Sequence, residues 1–222
     1  MIEKLFDQNG WLFRFLCRTL DLICLNFLFI LTCIPVVTVG ASVCAMYSVL
    51  LKAVRNEESY IFRSYLRAFR RNLGRGILTG VLCFGIAGTL LIHIFYVAGK
   101  MGRCESVWVF ICGVCLVFFC LPAHYLFPLQ ARYEGTLTEL FGRSFFISIK
   151  YLSATVQLIC IRIFPVALTV FVALSAVEKL VWICTAMTLI GFSGIMFLSS
   201  FVYRRVFDDI EHGMEERDKK SY

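Results

Sequence analysis

Charge is what this sequence has least of. Asp, Glu, Lys and Arg make up 17% of its 222 residues, where an ordinary soluble domain has about 25%. Hydrophobic residues make up 59%, and they lie in blocks rather than in alternation. That excludes a soluble domain and points to the bilayer. Histidine is scarce as well, at three residues. There is no HExxH pair, no phosphate-binding glycine loop, no Ser/His/Asp set and no pair of carboxylates within an apolar block. Each absence removes a chemistry. Nothing supports an enzyme, and no catalytic, cofactor-binding or metal-binding residue is expected.

What is present is apolar length. Five blocks, at 20–51, 76–98, 106–130, 152–176 and 180–202, predict an all-α polytopic transmembrane bundle of five or six membrane helices. We read one transmembrane domain over residues 1–202 and a charged cytoplasmic tail at 203–222. Residues 1–19 mix Leu5, Phe6, Trp11, Leu12, Phe15 and Leu16 with Lys4, Arg14 and Arg18, which suits an interfacial segment at headgroup level. The charged start and the long first block predict no cleavable signal. Of eleven cysteines, only Cys17 and Cys104 lie outside the apolar blocks. A disulfide scaffold would place them in extracellular loops, so they read as reduced, small apolar side chains.

The first block is too long for one span. At ~1.5 Å per residue, residues 20–51 would reach roughly 48 Å, against a hydrocarbon core of about 30 Å. Pro35 lies near its middle. The block is therefore one kinked, tilted helix or a hairpin that turns around Pro35. As a hairpin it leaves eighteen Lys and Arg on one side and three on the other, with Arg162 set aside; five simple spans leave fifteen and six. The positive-inside rule favours the hairpin and puts both termini in the cytoplasm. The net charge of +7 then reports topology and contact with anionic headgroups, not nucleic acid.

Beyond the block, Phe62, Tyr65, Leu66, Phe69 and Leu73 fall at helical spacing, with Arg63, Arg67, Arg70 and Arg71 on the other side. Ser59 is a reasonable cap. We expect a separate cytoplasmic helix over 60–73 that meets anionic lipid or docks on a partner. In residues 131–151, Leu137, Leu140, Phe141 and Phe145 predict a second such helix. Pro122 and Pro128 should make the last third of the 106–130 block irregular.

Arg162 is the one formal charge deep within a block. A charge at mid-bilayer costs ~2.5–3.5 kcal/mol even on the lenient insertion scale, so it should face the bundle and have partners. Asp21, Gln157, His124 and carbonyls freed near Pro165 are the candidates. His93 and His124 fall near opposite faces and should not share a metal. Cys112 and Cys115 form a lone CxxC, a weak redox or metal signal in so apolar a helix.

The patch Pro35-Val36-Val37-Thr38-Val39-Gly40-Ala41-Ser42 stands out, with the 45–47 stretch after it. It is followed by Phe69-Arg70-Arg71-Asn72 and then by Leu129-Gln130-Ala131-Arg132-Tyr133-Glu134. In this order they resemble the YesL-like family, bacterial integral membrane proteins grouped as a domain of unknown function. Within the patch, Pro35, Thr38, Gly40, Ala41 and Ser42 carry the likeness. The resemblance implies a Firmicutes-type cell-membrane protein whose genes often lie beside sugar-uptake ABC transporters and their two-component regulators. It implies no catalytic residue. The expected partners are therefore an ABC sugar permease or sensor kinase, met at the basic helix, or a second copy of the chain. The leading expectation is an accessory or regulatory protein of carbohydrate uptake. The alternative is a small-solute transporter or channel with a site near Arg162.

Overall fold

The computed structural model describes residues 11–55, 57, 60–98, 103–175, 181–182 and 185–220. Among them are seven α-helices and no strand. They are α1 (Trp11–Cys33), α2 (Val39–Val54), α3 (Ile61–Ala98), α4 (Arg103–Arg132), α5 (Leu137–Lys150), α6 (Leu152–Ser175) and α7 (Phe192–Lys220). Six stretches are long and apolar enough to cross a membrane. The chain is a multi-pass membrane protein.

The first block is a hairpin. Arg18 Nη1 donates to the Ala53 carbonyl at 2.8 Å, and Thr38 Oγ1 donates to the Thr32 carbonyl at 2.6 Å. One contact ties the open end and the other the closed end, so α1 and α2 run antiparallel. The break follows from Pro35, which has no amide and drives the residue before it out of helical backbone. A single 3-10 turn, Val36–Thr38, then starts α2. The expected interfacial segment is not separate from the first span. From Trp11 onward it is the start of α1; residues 1–10 lie outside the described ones.

Three further expectations change. The 60–73 helix and the 76–98 span are one unbroken helix, α3, of 38 residues. At ~1.5 Å per residue it reaches about 57 Å, so its basic start is rigidly continuous with a span. Nothing between Leu73 and Gly76 breaks it, because a lone glycine costs a helix only about 1 kcal/mol. Ser59 lies outside the described residues. Next, α4 stays helical through Pro122 and Pro128. Last, the 202/203 boundary falls within α7, where Tyr203, Val206 and Phe207 are buried. The charges beyond it therefore begin on a packed helix.

α5 is the second amphipathic helix. Thr136 caps it and Glu139 completes a capping box. Its buried face is Leu140, Ser144, Ile147 and Ser148, while Phe141 and Phe145 stay exposed.

Two close contacts hold the helices in register. Gly40 on α2 meets Gly76 and Gly80 on α3 backbone to backbone. A Cβ on Gly40 would press on the Gly76 carbonyl and stand 2.8 Å from Gly80 Cα. Small residues at such a crossing let helices approach where lipid gives no hydrophobic drive. The second contact is Asn26 on α1, which is fully buried. Its side-chain amide donates to the Thr188 carbonyl at 2.6 Å, and its oxygen accepts from the Ser193 amide at 2.9 Å. Thr188 lies within the π-helical turn Met187–Gly191 and Ser193 just beyond it, where the helical ladder loses its usual pairing.

Candidate functional site

Four helices meet at Arg162. It lies ten residues into α6, about 15 Å along the axis from the helix start. Its Nη2 donates to Tyr47 Oη of α2 at 2.9 Å and to Tyr203 Oη of α7 at 3.0 Å. Its Nη1 lies 3.2 Å from His124 Nδ1 of α4. A guanidinium only donates, so Nδ1 accepts, and the proton of a neutral ring sits on Nε2. Tyr203 Oη passes the chain on, donating to the His124 carbonyl at 2.7 Å. Tyr47 and Tyr203 pack edge to face with ring centroids 5.5 Å apart, and Tyr125 meets Tyr203 at the same distance.

Of the expected partners, His124 is at Arg162. Asp21 instead lines the base of α1 with Arg18, and Gln157 is exposed. His93 is exposed on α3, apart from this network. Beside the network α4 and α6 part, leaving a cleft of about 380 Å³. Val117, Leu121, Ile159, Ile163 and Val166 wall it, and Arg162 and His124 are its strongly polar groups.

A second polar cluster closes the end of the bundle where α2 and α4 finish. Arg132 Nη2 holds both carboxylate oxygens of Glu211, at 2.6 and 2.7 Å, and Tyr133 Oη donates to the same group at 2.8 Å. Arg55 pairs with Asp208, and Arg204 Nη1 donates to the Val54 carbonyl at 3.0 Å. Burial and the hydrogen bond to Glu211 push the Tyr133 hydroxyl up to about 12, although Arg132 opposes this.

The 35–42 patch has a structural reading residue by residue. Pro35 makes the break. Thr38 Oγ1 reaches the Thr32 and Pro35 carbonyls, and Ser42 Oγ donates to the Thr38 carbonyl at 3.0 Å. Gly40 and Ala41 form the crossing with α3. Arg63, Arg67, Arg70 and Arg71 are all exposed on α3. Among the described residues none of the four forms a salt bridge. Of the apolar positions expected opposite them, Tyr65 is buried, whereas Phe62 is 54% exposed.

The turn of the hairpin, the glycine crossing and this arginine row all lie within residues 22–94. That stretch matches the family described as Protein of unknown function, DUF624. YesL-like proteins belong to DUF624, so the family suggested by the 35–42 patch is the one found. No curated protein and no solved structure matches the chain. The Arg162 network lies mostly outside the DUF624 match; Tyr47 alone falls within it.

Tyr47, Tyr203 and Asn26 are the residues that sequence reasoning passed over. For Tyr47 and Asn26 the signal was available, since each is a hydrogen-bonding group inside an apolar block; Tyr203 falls just past the last block, beside Arg204 and Arg205. Their pairing was not available, since Tyr47 and Tyr203 meet Arg162 across sequence separations of 115 and 41 residues. Cys112 and Cys115 are both free thiols, the second exposed. Among the described residues no three His, Cys, Asp or Glu side chains gather as a metal site. The side chains of Cys104 and Cys184 lie outside the described ones.

Proposed function

We propose that the protein is a non-catalytic accessory component of the cell membrane that engages a membrane partner through the basic start of α3. The carrying observation is the exposed row Arg63, Arg67, Arg70 and Arg71 on a helix continuous with a span. Such a row costs nothing to keep in water, and it is set to meet anionic headgroups or a partner's carboxylates. The family resemblance supports a carbohydrate ABC permease, or the sensor kinase that regulates it, as that partner. The excess of basic residues at this end supports its facing the cytoplasm, with both termini there. The test is charge reversal, Arg63→Glu with Arg67→Glu and Arg70→Glu. Sugar uptake and co-purification of the permease should both fall while expression in the membrane holds. Unchanged uptake would overturn the reading.

A second reading is favoured by the cleft between α4 and α6, where a half-buried cation meets an open volume. There the protein would be a transporter or channel with its site at Arg162. Flux into liposomes that is lost in Arg162→Ala supports it; absence of flux over a broad solute panel retires it.

A further inference from the structure

We propose that the α4–α6 cleft binds the carboxylate of a free, single-chain amphiphile, a long-chain fatty acid, with Arg162 as its anchor. This rests on the second reading above and names the ligand class of that site. The hydrogen-bond partners of Arg162 are two phenols and an imidazole. All are neutral acceptors, so among the described residues the guanidinium has no counter-charge of its own. A guanidinium carries five N–H donors, and these bonds engage three. The arginine is held in place and left one charge short.

The walls decide the rest of the ligand. Apart from Arg162, His124 and the thiol of Cys120, the lining is aliphatic. A sugar or a hydrated ion would leave its hydroxyls or waters unpaired against these walls. Val117, Ile163 and Val166 form the rims and are 59%, 58% and 62% exposed on the outside of the bundle. The mouth therefore faces hydrocarbon rather than water. About 380 Å³ lies within the usual range of small-ligand sites, roughly 300–1,000 Å³. Depth selects among amphiphiles. Arg162 sits about 15 Å into its helix, near the midplane of a core about 30 Å thick. A phospholipid headgroup stays outside that core, whereas a single chain ending in a carboxylate is small enough to bring its anion down to the cation.

The experiment uses the purified full chain in zwitterionic phosphatidylcholine nanodiscs. It is irradiated with a diazirine-bearing palmitate, and the labelled peptides are mapped by mass spectrometry. Label should concentrate on residues 117–124 and 159–166. Free palmitate should compete and its methyl ester should not. Val166→Trp, which fills the mouth and leaves the Arg162 network intact, should lower labelling about tenfold, the scale of losing one charge-assisted pair. Arg162→Gln should do the same wherever it folds. Label spread evenly over the lipid-facing helices, or equal competition by the ester, overturns the proposal. The unfolding temperature of the same nanodiscs with gluconate separates the two ideas. A rise that Arg162→Gln abolishes, without site-specific palmitate label, keeps the solute site and overturns the amphiphile. No rise and no such label overturns both.

Discussion

The Tyr203 hydroxyl donates to the His124 carbonyl at 2.7 Å, and that carbonyl is the one Pro128 leaves without its helical amide. A proline removes the bond to the residue four before it. Here a side chain from α7 replaces the missing donor, and the Tyr203 hydroxyl oxygen in turn accepts from Arg162. The proline of one helix and the phenol of another are thus a single device.

Tyr203→Phe should therefore leave a buried carbonyl and an arginine donor unpaired. The expected loss is about 1–3 kcal/mol, read as a drop of several degrees in the unfolding midpoint in detergent. Pro128→Ala supplies an amide to the same carbonyl, so the double variant should recover part of the loss. If Pro128→Ala gives no recovery in the Tyr203→Phe background, the carbonyl is not what Tyr203 serves.

Gly40→Ala and Gly76→Ala should each loosen the α2–α3 crossing, because the new methyl meets backbone that has nowhere to move. Overpacking of this kind costs about 1–3 kcal/mol. Gly85→Ala on the same helix meets open space and should be neutral. The three midpoints, measured side by side, check this. Equal tolerance at all three would show that the crossing bears no load.

Stability should also depend on alkaline pH through Tyr133. Its hydroxyl is raised to about 12 in the folded chain, first by burial and then by its bond to Glu211, from an ordinary value of 10.0. A raised value means that the folded state keeps the proton more tightly. The contribution is therefore complete below pH 10 and disappears as pH climbs through about 12. Unfolding midpoints taken between neutral pH and this range should fall less steeply in Tyr133→Phe than in the wild type. Parallel curves would remove Tyr133 from the linkage.

The tip of the α1–α2 hairpin should lie within hydrocarbon. Ile34, Val36 and Val37 are 71%, 81% and 56% exposed, and the turn's one hydroxyl, on Thr38, is already bonded to the chain's own carbonyls. Turns in water favour Gly, Asn, Asp and Ser instead. The two arms, Phe15–Cys33 and Val36–Val54, are 19 residues each, so at ~1.5 Å per residue they reach no further than a core about 30 Å thick. A cysteine at Val36 should resist membrane-impermeant maleimide from either side of the membrane and react only after solubilisation. Ready labelling from outside would show that the hairpin crosses completely.

Much of the scaffold was legible because bilayer solvation acts through composition and length. The break at Pro35 and the hairpin follow from a missing amide and a charge imbalance, both read along the chain. Where local reasoning failed, a neighbour had intervened. Pro122 and Pro128 predicted irregular backbone, but packing against α7 and α5 keeps α4 helical. Tyr203 serves the carbonyl that Pro128 frees, and Ser148 Oγ ties α5 to a carbonyl that no proline frees, that of Leu121, at 3.0 Å. Phe141 and Phe145 looked like the buried stripe of α5. The side that docks carries Ser144 and Ser148, whose hydroxyls bond within their own helix or to α4.

By itself, the sequence determined that this chain lives in a bilayer, that its apolar length falls in five blocks, and that the first block bends or turns around Pro35. Those are consequences of solvent and of backbone chemistry, and both can be read in one dimension. It also determined that Arg162 needs partners, since a charge at that depth is too costly to leave bare. Which partners it has was decided only by tertiary structure. Tyr47, His124 and Tyr203 come from three other helices, and their convergence depends on crossing geometry that no spacing encodes. The same geometry parts α4 from α6 and leaves the arginine facing an apolar cleft.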